Sequence, residues 1–187
     1  MRRTAAWILT AAAACGLASL LAGTAHSQQA PTVTARTAAR VGADGPRSSP
    51  PLELRGRLTR RIAWSRLPTS VVWDGTKAGN INPSLRAVYR GQTLYKLIGL
   101  VDDKDPKHFN LALARKGYTI QFICSDGYKP TISSKRIIGK TGWIIAKLKL
   151  GKPLPSGEGP YRFVGSFIKP FNGKLSARMI VRIRLIF

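Results

Sequence analysis

GYTIQFICSDGYKPTISSKRIIGKTGWIIAKLKLGKPLPSGEGPYRFVG, residues Gly117–Gly165, sets two turn signals between runs of β-forming residues. At its centre stands Ser125-Asp126-Gly127-Tyr128. Asp-Gly after a β-prone run predicts a turn, because glycine accepts a positive φ and Asp can hydrogen-bond its own backbone. Tyr118–Cys124, just before it, alternates as a half-buried strand does: Tyr118, Ile120 and Phe122 on one side, Thr119 and Gln121 on the other. After the turn, Ser133 or Ser134 caps a short helix carrying Ile137 and Ile138. Gly151-Lys-Pro-Leu-Pro155 makes a second stiff turn, and Tyr161–Val164 reads as another strand.

Outside this stretch the same patterning continues. Leu52–Gly56 starts a strand, Ser65–Pro68 reads as a short capped turn, and Ser70–Trp73 is a strand ending at Asp74-Gly75. Ala78–Leu85, with Asn80, Asn82 and Pro83, is loop-like. Leu94, Leu97, Ile98 and Val101 form one apolar helical stripe, started by Gln92 or Thr93 and ended by Asp102-Asp103. A second helix is expected between Asp105-Pro106 and Gly117, with Asp at the N-cap and Pro in the first turn. Ala177–Phe187 is the cleanest strand. Ala177, Met179, Val181, Ile183, Leu185 and Phe187 would share one face, and Arg178, Arg182 and Arg184 the other. The sum is a β-dominated α+β domain with short helices and no internal repeat.

The order of strand, S-DGY, short capped helix, strand, G-K-P-L-P, acidic-Gly-Pro and aromatic-rich strand resembles the oxidoreductase molybdopterin-binding domain. That is the fold of the sulfite oxidase family, here in a small single-domain secreted form. The resemblance runs from about Leu52 to Phe187, and DGY with GKPLP is its most specific part. Tyr89-Arg-Gly-Gln-Thr-Leu-Tyr-Lys-Leu97 is similar to the family's aromatic-x-Gly-x-x-Leu-x-x-Leu element. The resemblance implies a cofactor-binding set of Asp126, Tyr128, Lys174 and Arg178, the last two being basic residues near the final strand that would face the pterin phosphate or a substrate oxyanion. It also implies a molybdenum-ligating cysteine before the Leu94–Val101 helix, and none occurs from Leu52 to Arg90. Thiolate is the soft ligand that this metal needs. Val72-Trp73-Asp74-Gly75 stands roughly where that loop should be.

Met1–Ser27 reads as a secretory signal, with Arg2 and Arg3 before an uncharged apolar Ala5–Ala22 and small residues at Ala25 and Ser27. A retained membrane anchor is the alternative, since the run approaches the ~18 residues of a span. A lipoprotein reading through Cys15 meets a poor lipobox in Ala12-Ala13-Ala14. Gln28–Pro51 has almost no large apolar residue and reads as a flexible tether. The folded domain is then 52–187, periplasmic or secreted, without a stable membrane span once the signal is cleaved.

The chain has 31 Lys and Arg against 8 Asp and Glu, a net +23; without Arg2 and Arg3 the count is 29 against 8, or +21. Such a field attracts anions at long range. For an exported basic protein the expected partners are an anionic small molecule or an envelope polyanion, not nucleic acid. The period-2 geometry of the last strand predicts an anion-binding row of Arg178, Arg182 and Arg184. A solvated basic surface that serves solubility is the competing reading.

Catalytic signatures fail on inspection. Gly139-Lys140-Thr141 looks like the end of a P-loop, but Ser134 stands where the first glycine must be. Ser166-Phe-Ile-Lys169 echoes penicillin-binding enzymes, yet Pro170 denies that serine its helix. His108 is the one histidine after the signal, which leaves neither a triad nor a histidine zinc site. Cys124, alone once Cys15 leaves, has no disulfide partner and reads as a small core hydrophobe. No catalytic residue and no metal ligand is expected. The resulting expectation is an exported, non-catalytic binding module for an anionic ligand. It carries no expected cofactor, with molybdopterin admitted only by the resemblance. The alternative is a divergent molybdopterin-dependent periplasmic oxidoreductase that uses Cys124 as an unconventional ligand.

Overall fold

The computed structural model of the chain describes residues 49–79, 82–168 and 175–187. The expected signal Met1–Ser27, nearly all of the expected tether Gln28–Pro51, Asn80 and Lys174 lie outside them.

Two five-stranded sheets carry the fold. The first is built from β1 (Leu52–Arg55), β2 (Thr59–Ile62), β5 (Thr119–Cys124), β6 (Thr131–Ser133) and β10 (Ile180–Ile186), in the order β2-β1-β10-β5-β6. The second holds β3 (Val71–Asp74), β4 (Val88–Thr93), β7 (Ile144–Lys149) and β8 (Lys152–Pro153) in that order, with β9 (Arg162–Val164) also paired to β7. All pairings are antiparallel except β1 with β10, which puts the first and last strands side by side. The helices are short: α1 (Leu94–Ile98), α2 (Leu111–Lys116) and single 3₁₀ turns. The architecture is α+β and β-dominated.

Local sequence explains the strands. Along β5 the side chains of Ile120, Phe122 and Cys124 are buried and those between them half-buried, as alternation requires. Gly127 closes the β5–β6 hairpin with φ +85°, while Asp126 Oδ1 accepts from the Tyr128 amide at 3.0 Å. Ser133 caps the 3₁₀ turn Ser134–Ile137, accepting from the Lys135 amide. Ser134 turns inward instead, accepting from the Tyr118 amide and donating to the Ala114 carbonyl, both at 2.9 Å. Between β7 and β8 the turn is Leu150-Gly151, both left-handed at φ +51° and +77°, the signature of a two-residue type I′ hairpin.

The core lies where the sheets meet. Phe122 of the first sheet stacks on Phe163 of the second with ring centroids 4.7 Å apart, and Trp143 and Phe167 surround Phe163. Phe122 and Phe163 are both fully buried. Removing either aromatic ring would leave a cavity costing about 3–5 kcal/mol.

Several boundaries differ from expectation. The second helix starts at Leu111, because Asn110 rather than Asp105 caps it, its Oδ1 accepting from the Leu113 amide at 2.8 Å. Asp105-Pro106 instead opens a tight turn in which Asp105 Oδ1 accepts from the Lys107 amide. Helix α1 ends at Ile98, although Val101 completes the buried stripe. Ser65 makes no cap, since the N-cap of its 3₁₀ turn is Ala63. Strand β10 begins at Ile180, not Ala177: Met179 is left-handed at φ +56° and a bulge falls between Ile180 and Arg182. Arg178 therefore drops out of register with Arg182 and Arg184, and Phe187 ends half-exposed rather than in the core.

Candidate functional site

The outer face of the first sheet is assembled by register. Glu53 of β1 lies opposite Arg61 on β2 and beside Arg182 on β10. One step along, Arg55 pairs with Arg184 on the same face. The Arg182 guanidinium Nε donates to Glu53 Oε2 at 2.6 Å, and Arg55 Nε donates to Glu53 Oε1 at 2.6 Å. Glu53 is only 8% exposed, because these guanidiniums cover it. Their hydrogen bonds, Arg182 first and then Arg55, hold its carboxyl below the usual carboxylate range. Arg55, Arg61 and Arg184 reach solvent. The chemistry is four guanidiniums on two adjacent rows with one carboxylate between them.

This changes the expected anion-binding row. Arg184 is exposed and available. Arg182 is engaged by Glu53, so it orders the patch more than it offers a free fork. Arg178 is exposed but sits beyond the bulge. Arg55 and Arg61 join the patch and were absent from the sequence-based set. The alternation Leu52-Glu53-Leu54-Arg55 carries the signal for Arg55, but only strand pairing places Arg61 and Arg184 beside it.

Of the residues implied for cofactor binding, the structure gathers three and does not describe Lys174. The Ser125 amide donates to the Met179 carbonyl at 2.9 Å, so the Asp126-Gly127-Tyr128 hairpin tip lies against the segment carrying Arg178. Asp126, Tyr128 and Arg178 are all exposed there. The Asp126 carboxylate is occupied in part by its own turn.

Cys124, the soft ligand of the alternative reading, lies inside the fold. It is buried on the core side of β5, and burial, helped by the Asp126 charge, pushes its thiol up to about 11. A thiol that far up is protonated at neutral pH. Asp102, Asp103 and Asp105 are engaged with the loop they belong to: Asp102 and Asp103 with Asn110, Asp103 also with the Asp105 amide, and Asp105 with the Lys107 amide. His108 Nδ1 lies 3.4 Å from Asp105 Oδ2 on the surface. Among the described residues no group of three or more His, Cys, Asp or Glu is placed to hold a metal ion. Among them, too, no helix is long and apolar enough to cross a membrane.

No family model matches the chain, and no curated protein matches it either.

Proposed function

We propose that the chain is an exported, non-catalytic binding module on a sulfite oxidase-like molybdopterin-binding domain fold, and that its ligand is a polyanion laid across the outer face of the first sheet. The fold reading is supported by the succession of β5, the DGY hairpin, the capped turn, β7, the G-K-P-L-P hairpin and the buried Tyr-Arg-Phe-Val strand. Binding without catalysis is supported by the sequence from Leu52 to Arg90, which has no cysteine, and by the buried, protonated Cys124.

The observation that carries the ligand class is the arginine array around Glu53. Strands lie about 4.8 Å apart and alternate residues about 6.7 Å apart along a strand. Guanidiniums on such a grid meet a run of anionic groups better than one isolated anion. Arg61 and Arg184, which Glu53 does not hold, can each take a phosphate or carboxylate oxygen pair through their planar forks. Glu53 keeps Arg55 and Arg182 in place, so less side-chain freedom is lost when the polymer binds.

The test is retention on immobilised polyphosphate or an acidic polysaccharide. Arg55→Ala/Arg61→Ala/Arg184→Ala should elute at clearly lower salt than a control variant with the exposed Lys104, Lys116 and Lys140 changed to Ala. Equal elution of the two would reduce the patch to generic basicity. The non-catalytic half is tested by metal analysis of protein purified from its native host. Stoichiometric molybdenum that disappears in Cys124→Ser would establish the oxidoreductase instead.

A further inference from the structure

A second site lies away from the arginine face. Between α1, the segment from Ile62 to Pro68 and the turn Pro106–Phe109 there is a cleft of about 640 Å³. That is the size of a pocket for a small organic ligand. Its walls are apolar: Tyr95 and Phe109 stand edge to face with centroids 6.2 Å apart, joined by Ile62 and Leu100. Its basic lining residues are Arg66, Lys96, Lys107 and His108, and no carboxylate among the described residues lines it. Among the described residues, the side chains of Arg66, Lys96 and Lys107 make no ion pair. The nearby Asp105 carboxylate is engaged by its own turn and by His108.

From this combination we infer that the cleft is a binding site for an aryl anion, an aromatic ring system carrying a phosphate, sulfonate or carboxylate. The rings of Tyr95 and Phe109 would take the flat apolar body, because aromatic faces and edges gain from such packing beyond the area they bury. The cations at the mouth would take the charged end, which stays near water. That leaves no unpaired charge buried in the cleft. The surrounding cations supply an attraction that a neutral aromatic compound would not feel. Neither half suffices alone: inorganic phosphate has nothing to offer the walls, and a phenol has nothing to offer the cations.

Calorimetric titration of the purified chain with 2-naphthyl phosphate, 2-naphthol and inorganic phosphate, at about 0.1 M salt, tests this. The expected result is one 2-naphthyl phosphate bound per chain, about tenfold or more tighter than either fragment. Lys96→Ala/Lys107→Ala should lose about tenfold in affinity for 2-naphthyl phosphate and change little toward 2-naphthol. Both lysines are exposed, so the variant should fold, which its melting curve checks. Arg55→Ala/Arg184→Ala should bind 2-naphthyl phosphate as wild type does, which separates this site from the polyanion face. Equal affinity for phosphate and 2-naphthyl phosphate would overturn the inference. So would undiminished binding by the Lys96/Lys107 variant, or loss of binding in the Arg55/Arg184 variant.

Discussion

Leu150 is the most informative single residue for stability. It is 67% exposed and sits left-handed at φ +51° in the Leu150-Gly151 turn, a position suited to Asn or Gly. A left-handed residue with a bulky side chain costs about 1–2 kcal/mol, which Asn largely avoids. Leu150→Asn should therefore raise stability by about 0.5–1 kcal/mol in urea unfolding; an unchanged or lower midpoint would sink this reading of the turn. Glu158 works in the other direction. Lys149 Nζ lies 2.7 Å from its Oε1 and Arg162 Nη1 2.6 Å from its Oε2. Burial alone would raise its carboxyl, but the two cations outweigh that and lower it. A carboxyl lowered on folding contributes stability that is present above its unfolded value, near 4.5, and lost as pH falls through the folded value. Glu158→Gln should cost about 3 kcal/mol at neutral pH by stranding the buried Arg162 and the half-buried Lys149. The cost should shrink as wild type is titrated below its unfolded carboxylate value. Asp102 has the opposite sign: burial raises it, so it favours the fold less as pH rises through its folded value. A cost for Glu158→Gln that stays constant down to the acid limit would rule out the pairing account.

At the scale of elements, the motif glycine Gly91 shows what the sequence holds and what it hides. A Cβ on Gly91 would lie 2.0 Å from the Ile145 carbonyl oxygen and 2.7 Å from the Ala146 Cα. The cause is the bulge between Arg90 and Gly91 where β4 crosses β7, which brings two backbones too close for any side chain. Gly91→Ala should cost about 3 kcal/mol by forcing β4 off β7, and a melting temperature within a degree or so of wild type would contradict this. The hairpin at Asp126-Gly127, strand β5 and the apolar stripe of α1 were all legible, because alternation, helical spacing and turn chemistry are local. The bulge was not. Neither was strand β2, whose residues Thr59-Arg-Arg-Ile62 carry no period-2 apolar pattern and are held by pairing to β1. The start of α2 misled because Asp105-Pro106 is as good a turn as it is a helix start, and only Asn110 reaches the Leu113 amide. The candidate site divides the same way. Arg184 followed from alternation along one strand, but its company of Arg55, Arg61 and Glu53 depends on which strands are neighbours. Lys147 was invisible for the same reason. It is buried on β7, its Nζ donating to the Trp64 carbonyl at 2.7 Å and lying 4.4 Å from the Trp64 ring, so it pins the early loop to the second sheet.

Across the whole molecule, the charge has a definite internal shortage behind it. Every described carboxylate already holds something. Glu53 and Glu158 take cationic side chains, and Asp74, Asp102, Asp103, Asp105 and Asp126 each accept from backbone amides. Most of the Lys and Arg among the described residues therefore lack an internal counter-ion, and their mutual repulsion opposes compaction. Two effects on melting follow, and they can be separated. Sodium chloride shortens electrostatic reach from about 10 Å at 0.1 M to about 3 Å at 1 M, so it should raise the melting temperature of wild type and of Arg55→Ala/Arg61→Ala/Arg184→Ala by similar amounts. Polyphosphate at low salt should do more for wild type alone, because a ligand that binds only the folded state stabilises by mass action. At about a hundredfold over its dissociation constant that is near 2.7 kcal/mol, or roughly 5–10 °C for a domain of this size. Added salt should then erase the polyphosphate gain while leaving its own. If the triple variant gains as much from polyphosphate as wild type does, the polymer is answering net charge and the sheet face has no part in binding it.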